Sequence, residues 1–179
     1  MEHNQVKNWL MLTLVGKDQP GIVAEVSRVL FEMKGNLGEA SMTRLGGNFT
    51  IMLMASIPEK ISSVKEKLQP VCDKLGLFFH LDEIEAGLHQ HIEPDVRISI
   101  HGADKAGIVA LATDALSEAG LNILNLESDV GGYPESPVYV MHIEGVAGKG
   151  FDTLNKALQV LAREKDVVAE ITPIDTMVW

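Results

Sequence analysis

Apolar and polar positions along the chain follow first a period of two, then a period between three and four, and the same succession is written twice. Val96, Ile98 and Ile100 alternate with Arg97, Ser99 and His101, the pattern of a strand with one covered face. The equivalent segment in the first half, Trp9 to Val15, is more apolar. Ile22, Val26, Val29, Leu30 and Met33 then fall on one helical stripe, which Ile108, Ala112, Ala115, Leu116 and Ala119 repeat. Two strands follow, Leu37 to Leu45 and Asn48 to Ile57, around the hairpin signal Gly46-Gly47. Their counterparts run from Ile123 to Val130 and from Val138 to Ile143, with the longer tip GGYPES between them. A second helix is expected from Ile61, Val64, Leu68, Val71 and Leu75, or Phe151, Leu154, Leu158 and Leu161 in the repeat. Final strands are expected at about Leu77 to Ile84 and Val167 to Ile174. The order βαββαβ predicts an α+β fold, a four-stranded antiparallel sheet with both helices on one face, the ferredoxin-like sandwich.

The duplication is visible letter by letter. VGKDQPGIVAEVSRVL begins at Val15 and HGADKAGIVALATDAL at His101, so each shared letter recurs 86 positions on. Two tandem domains are therefore expected, residues 1–86 and 95–179, joined by a linker over 87–94. Because only two copies occur, each must nearly suffice for itself or lean on its twin.

Composition narrows the function. The formal charge of −10 disfavours direct nucleic-acid binding, which depends on Lys and Arg neutralising phosphates. The acidity is concentrated in residues 95–179, with 6 basic and 13 acidic side chains, against 9 and 11 in residues 1–86. No run of about 18 apolar residues exists to cross a bilayer, and Met1 to Asn8 lacks the regions of a signal peptide. A cytoplasmic protein without membrane contact is expected. Cys72, the single cysteine, falls one place from the second helix's apolar stripe and is expected to pack there. His89 and His91 lack supporting ligands, so no metal site is expected. Neither a Walker-type loop, a Gly-x-Gly-x-x-Gly turn nor a recognisable nucleophile setting is present. No catalytic residue, enzyme activity or cofactor is expected.

The repeated spelling suits ligand binding at the start of a helix. The first N–H groups there lack internal partners and stand at the positive end of the helix dipole, where a carboxylate docks well. Gly21 and Gly107 carry no Cβ to block approach, and Pro20 suits a first turn where Ala106 stands in the repeat. Asn36 and Asn122 offer a donor and an acceptor each. The candidate ligand set is Asp18, Gln19, Pro20, Gly21, Ile22 and Asn36, with Asp104, Lys105, Ala106, Gly107, Ile108 and Asn122. Other readings stay open. Asp18 and Asp104 can instead bond loop N–H groups, and the two glycines can serve helix-on-sheet packing. Asn36 can be a turn residue that matches Leu121, since Gly35 and Gly120 are 85 positions apart. His101, beside the second loop, suits pH sensing, ligand contact or a plain surface position. Met42, Met52 and Met54 are expected to pack in the core and on the sheet face.

The stretches KDQPGIVAEVSRVLFEMKGNL and ADKAGIVALATDALSEAGLNI resemble the opening of ACT domains, regulatory modules that bind amino acids. Two in tandem without a catalytic domain are most similar to the glycine cleavage system transcriptional repressor family. That resemblance implies glycine, serine or another small amino acid as ligand, held between modules, and Lys34 in place of a usual glycine. It also implies a protein partner, a transcription activator, without contact to DNA. Exposed strand edges add the expectation of a homodimer. The alternative is a regulatory subunit or scaffold of an amino-acid metabolic enzyme.

Overall fold

The computed structural model describes residues 9–85, 92–103, 107–133 and 136–174, in two compact units, Met1–His89 and Gln90–Trp179. Unit 1 runs β1 (Trp9–Lys17), α1 (Ile22–Glu32), β2 (Asn36–Leu45), β3 (Asn48–Ser56), α2 (Ile61–Leu75) and β4 (Leu77–Ile84). Unit 2 repeats it as β5 (Val96–Ala103), α3 (Ile108–Glu118), β6 (Leu121–Tyr133), β7 (Ser136–Ala147), α4 (Phe151–Lys165) and β8 (Val167–Pro173). The sheets are ordered β2-β3-β1-β4 and β6-β7-β5-β8, antiparallel throughout. These are two tandem ferredoxin-like sandwiches, as the alternating periods predict.

Period-two burial builds each core. Leu10, Leu12 and Leu14 are buried on the helix-facing side of β1, while Met11, Thr13 and Val15 alternate onto the other face. Ile22, Val26 and Leu30 of α1 and Val64, Leu68, Cys72 and Leu75 of α2 close over them. In unit 2 Ile98 and Ile100 meet Ile108, Ala112 and Leu116 of α3 and Leu154, Leu158 and Leu161 of α4. Each fully buried leucine or isoleucine contributes about 2 kcal/mol, so these stripes hold the helices on the sheets. Cys72 is correspondingly part of the stripe and not beside it. Met42 and Met52 instead stand about half exposed, on opposite faces of the sheet, and only Met54 of the three is buried.

Burial, reinforced by Asp73, pushes the Cys72 thiol up to about 11 from an ordinary value of 9.0. The unfolded chain thus gives up this proton first, and the fold loses stability as pH rises from 9 towards 11, with full stability kept below that window. Denaturation series at pH 8, 9 and 10 are expected to show a steeper decline for the native chain than for Cys72→Ala. A thiol reagent at pH 8 is expected to label Cys72 only after denaturant is added.

The hairpin β6–β7 is longer than its sequence pattern suggests. The ladder continues through Gly131↔Val138 to Tyr133↔Ser136, because Gly132 accepts a φ of 91° and carries the strand past the Gly-Gly pair. Residues 134 and 135 of the tip lie outside the described residues, as do residue 86 and 87–91 of the expected linker, with His89 and His91.

Register settles which asparagines correspond. Leu37 pairs with Ala55 and Ile123 with Gly145, and one extra residue then bulges each strand, before Ala40↔Leu53 and Leu126↔Ile143. Asn36 and Asn122 therefore hold the same place, one residue before the paired Leu37 and Ile123. The helix ends agree, since Lys34 (φ 57°) takes the left-handed position that Gly120 (φ 89°) takes in unit 2. A lysine pays conformational energy there that glycine does not. Lys34→Gly is expected to raise the stability of unit 1 by about 0.5–1 kcal/mol, read from the denaturation midpoint.

Candidate ligand site at the strand-to-helix turns

Both turns reach the helix through a left-handed glycine, Gly21 (φ 92°, ψ −6°) and Gly107 (φ 86°, ψ 1°). Apart from the adjoining residues, a Cβ built on either would meet no atom of the described residues within 4 Å. Close helix-on-sheet packing is thus not what these glycines serve; the backbone conformation requires them, and no described residue fills the space in front of them. Among the described residues, neither helix has a side-chain cap. The first intrahelical bonds are Glu25 N–H to the Gly21 carbonyl, 2.9 Å, and Leu111 N–H to the Gly107 carbonyl, 3.0 Å. The N–H groups of the three residues between, Ile22 to Ala24 and Ile108 to Ala110, precede those bonds at the positive helix end. The Ile22 and Ile108 side chains are buried in the cores, so their part in a site is restricted to the backbone.

The polar residues of the first turn are engaged by the unit itself. Asp18 pairs with Arg44 of β2 at 2.5 Å, and its N–H donates to the Gly47 carbonyl at 3.1 Å, fastening the turn to the tip of the β2–β3 hairpin. Gln19 Nε2 donates to the Leu75 carbonyl at the end of α2, 2.6 Å. Glu25 stands in the first turn of α1 and pairs with Lys74 in the last turn of α2 at 2.9 Å, two charges well placed on their dipoles. Unit 2 keeps an aspartate at the place of Asp18 but departs at two others: Val130 stands where Arg44 does, and Leu111 where Glu25 does. Asp104, Lys105 and Ala106 of the second turn lie outside the described residues.

Asn36 and Asn122 are exposed and are not brought to the turns of their own units. Each follows the far end of an 11-residue helix that begins at the turn. That separates glycine and asparagine by about 16 Å along the axis, at 1.5 Å per residue. His101 lies on the face of β5 away from α3, its Nδ1 3.5 Å from Ser99 Oγ. Among the described residues, no group of three or more His, Cys, Asp or Glu could hold a metal, and no helix is long and apolar enough to cross a membrane.

Sequence reasoning passed over Arg44 and Tyr139. Tyr139 occupies the register position of Phe49, opposite Gly102 as Phe49 is opposite Gly16. The longer second hairpin shifts this match to 90 positions, which hides it from a search at the fixed repeat length.

Residues 8–82 match the family model of the ACT domain. A UPF0237 protein of Listeria innocua is 35% identical over 85 residues, which are 45% of this chain and 96% of that protein. The chain belongs to the ACT-domain family. Another UPF0237 protein, from Methanococcus maripaludis, is 39% identical over 67 residues, 37% of this chain and 73% of its own. Both units together are similar to a solved protein from Galdieria sulphuraria, at a TM-score of 0.73, 20% identity and coverage of 94% of this chain and 99% of that one. A solved protein provisionally assigned as a glycine cleavage system transcriptional repressor gives 0.70, 19%, 96% and 99%. These two likenesses establish the tandem ACT fold.

Proposed function

We propose that this tandem ACT protein senses a small amino acid, glycine or serine foremost, and passes its occupancy to a protein partner. The observation that carries the reading is the pair of helix starts, each behind a left-handed glycine, that no side chain caps and nothing fills among the described residues. A ligand carboxylate would accept from the first N–H groups of the helix. The asparagines stand at the opposite helix ends, so a ligand at either turn would not meet the asparagine of its own unit. Occupancy would then favour one state of the protein, such as a homodimer, and the partner would respond to that shift. The partner proposed is a transcription activator, the one that the sequence resemblance implies, with no contact to nucleic acid, in keeping with the charge of −10.

Calorimetry of the folded protein against each of the twenty amino acids tests the reading. Saturable heat with one or a few small amino acids is expected, whereas heat from none would overturn it. A second reading, a regulatory subunit or scaffold of an amino-acid metabolic enzyme, draws on Asp18 and Gln19, whose side chains are already spent inside unit 1. It requires the partner complex to keep its affinity in Asn36→Ala and Asn122→Ala.

A further inference from the structure

The two sheets turn faces of different chemistry away from their helices. In unit 1 the central strands β1 and β3 carry Met11, Thr13, Val15, Thr50, Met52 and Met54 there, without one ionisable group among them. The edge strand β4 adds Phe78, and its His80 and Asp82 pair with each other at 2.9 Å. Val15, Met52 and Phe78 are neighbours in the register, and all three are exposed. Farther along the face the Trp9 ring and Met54 flank Gly38, 2.8 and 3.5 Å from where its Cβ would stand. Unit 2 is a control written into the same chain. At the places of Met11, Met52 and Met54 it carries Arg97, His142 and Glu144, with Arg97 and Glu144 paired at 2.7 Å. An antiparallel sheet that turns one face to water dresses it with polar side chains, as unit 2 does and unit 1 does not.

Methionine and aromatic residues with few charges make up the core of an interface, where a flexible thioether fits an uneven partner. The size agrees. The strands of unit 1 run 8 to 10 residues, and at about 4.8 Å between strands and about 3.3 Å per residue four of them span about 20 Å by 30 Å. That flat area of about 600 Å², before the relief of side chains is added, approaches the roughly 800 Å² that a standard interface takes from each partner. Charge points to the occupant. The chain carries −10, with the acidic excess in residues 95–179, so a second copy is repelled wherever those groups lie. Across a two-fold axis a patch faces itself, and a face with uncharged central strands lets two copies meet without that repulsion. We infer that two copies of this chain associate through these faces of their first units, with Thr13 and Met52 near the axis and His80 and Asp82 at the polar rim. This goes beyond amino-acid sensing and stands without it.

Sedimentation equilibrium of the unliganded chain over a range of concentrations tests it, beside Met52→Glu and, at the same register place in unit 2, His142→Glu. The native chain and His142→Glu are expected at twice the monomer mass. In Met52→Glu the dissociation constant is expected to rise about 100-fold or more, because two unpaired carboxylates would be buried in one contact. A native chain that stays monomeric at every concentration would overturn the inference, as would a Met52→Glu chain that dimerises as tightly as the native one. Loss of the dimer in His142→Glu would overturn it too, by erasing the difference between the faces. A second measurement does not depend on how Met52→Glu folds. Cys72 is buried, so Met52→Cys presents the one accessible thiol. A short bifunctional maleimide is expected to join Met52→Cys chains in pairs and to leave His142→Cys chains single. Met52→Cys chains that stay single would place any contact on another surface and overturn the inference.

Discussion

Leu12→Ala is expected to cost unit 1 about 3–4 kcal/mol, and Ile98→Ala a similar amount in unit 2. Leu12 is 0% exposed, paired across the sheet with Leu53 on one side and Leu81 on the other. Ile98 is likewise 0% exposed, between Ile143 and Ile171. Neighbours on three strands and two helices cannot all close on the gap, so a cavity adds to the lost transfer energy. Met11→Ala, one residue away on the opposite face, is expected to cost less than about 1 kcal/mol, since that side chain is not in the core. Denaturant midpoints separate the two, and similar costs for Leu12 and Met11 would contradict the assignment of the buried face.

Gly107→Val and Gly21→Val are expected to lose about 1–3 kcal/mol each, with the order of tolerance Gly, Asn, Ala, Val. Open space surrounds both positions, so the loss is conformational: a β-branched residue is poorly accommodated at φ of 86° or 92°. Gly16→Ala is the instructive contrast, because there the new Cβ would lie 3.0 Å from the Gly76 carbonyl oxygen and strike the Leu77 side chain. In the two turns a valine also occupies the space before the helix N–H groups. Amino-acid affinity is therefore expected to fall at least about tenfold, the worth of a hydrogen bond to a carboxylate. Variants that bind and fold like the native chain would remove the basis for placing a ligand at these turns.

The sandwich was legible because burial imposes its own period: Leu10, Leu12 and Leu14 read as a strand face and Ile22, Val26 and Leu30 as a helix face. Repeat spelling located the turns for the same reason, since glycine is needed wherever φ is positive before a helix. Two things escaped. The pairing of Asp18 with Arg44 joins a loop to a strand edge across 26 residues, a contact that no local pattern encodes. Tyr139 escaped because its match to Phe49 appears only once the strands are laid in register. Asn36 and Asn122 were recognisable as a pair, but their distance from their own turns is a property of helix length, seen only when the elements are placed in space.

The faces turned away from the helices show how far the twins have diverged. In unit 1 that face carries Val15, Met52 and Phe78, exposed by 43%, 47% and 83%, and in unit 2 the same register positions carry His101, His142 and Val168. One ancestor and one core pattern thus support two surfaces of different chemistry, consistent with unequal roles for the two modules.

Backbone amide shifts, followed by NMR as a small amino acid is added, test the central claim most directly. The amides of Val23 and Ala24 in unit 1, and of Val109 and Ala110 in unit 2, are expected to shift saturably. Saturable shifts confined to other surfaces, or none with any of the twenty amino acids, would contradict a carboxylate held at the helix starts.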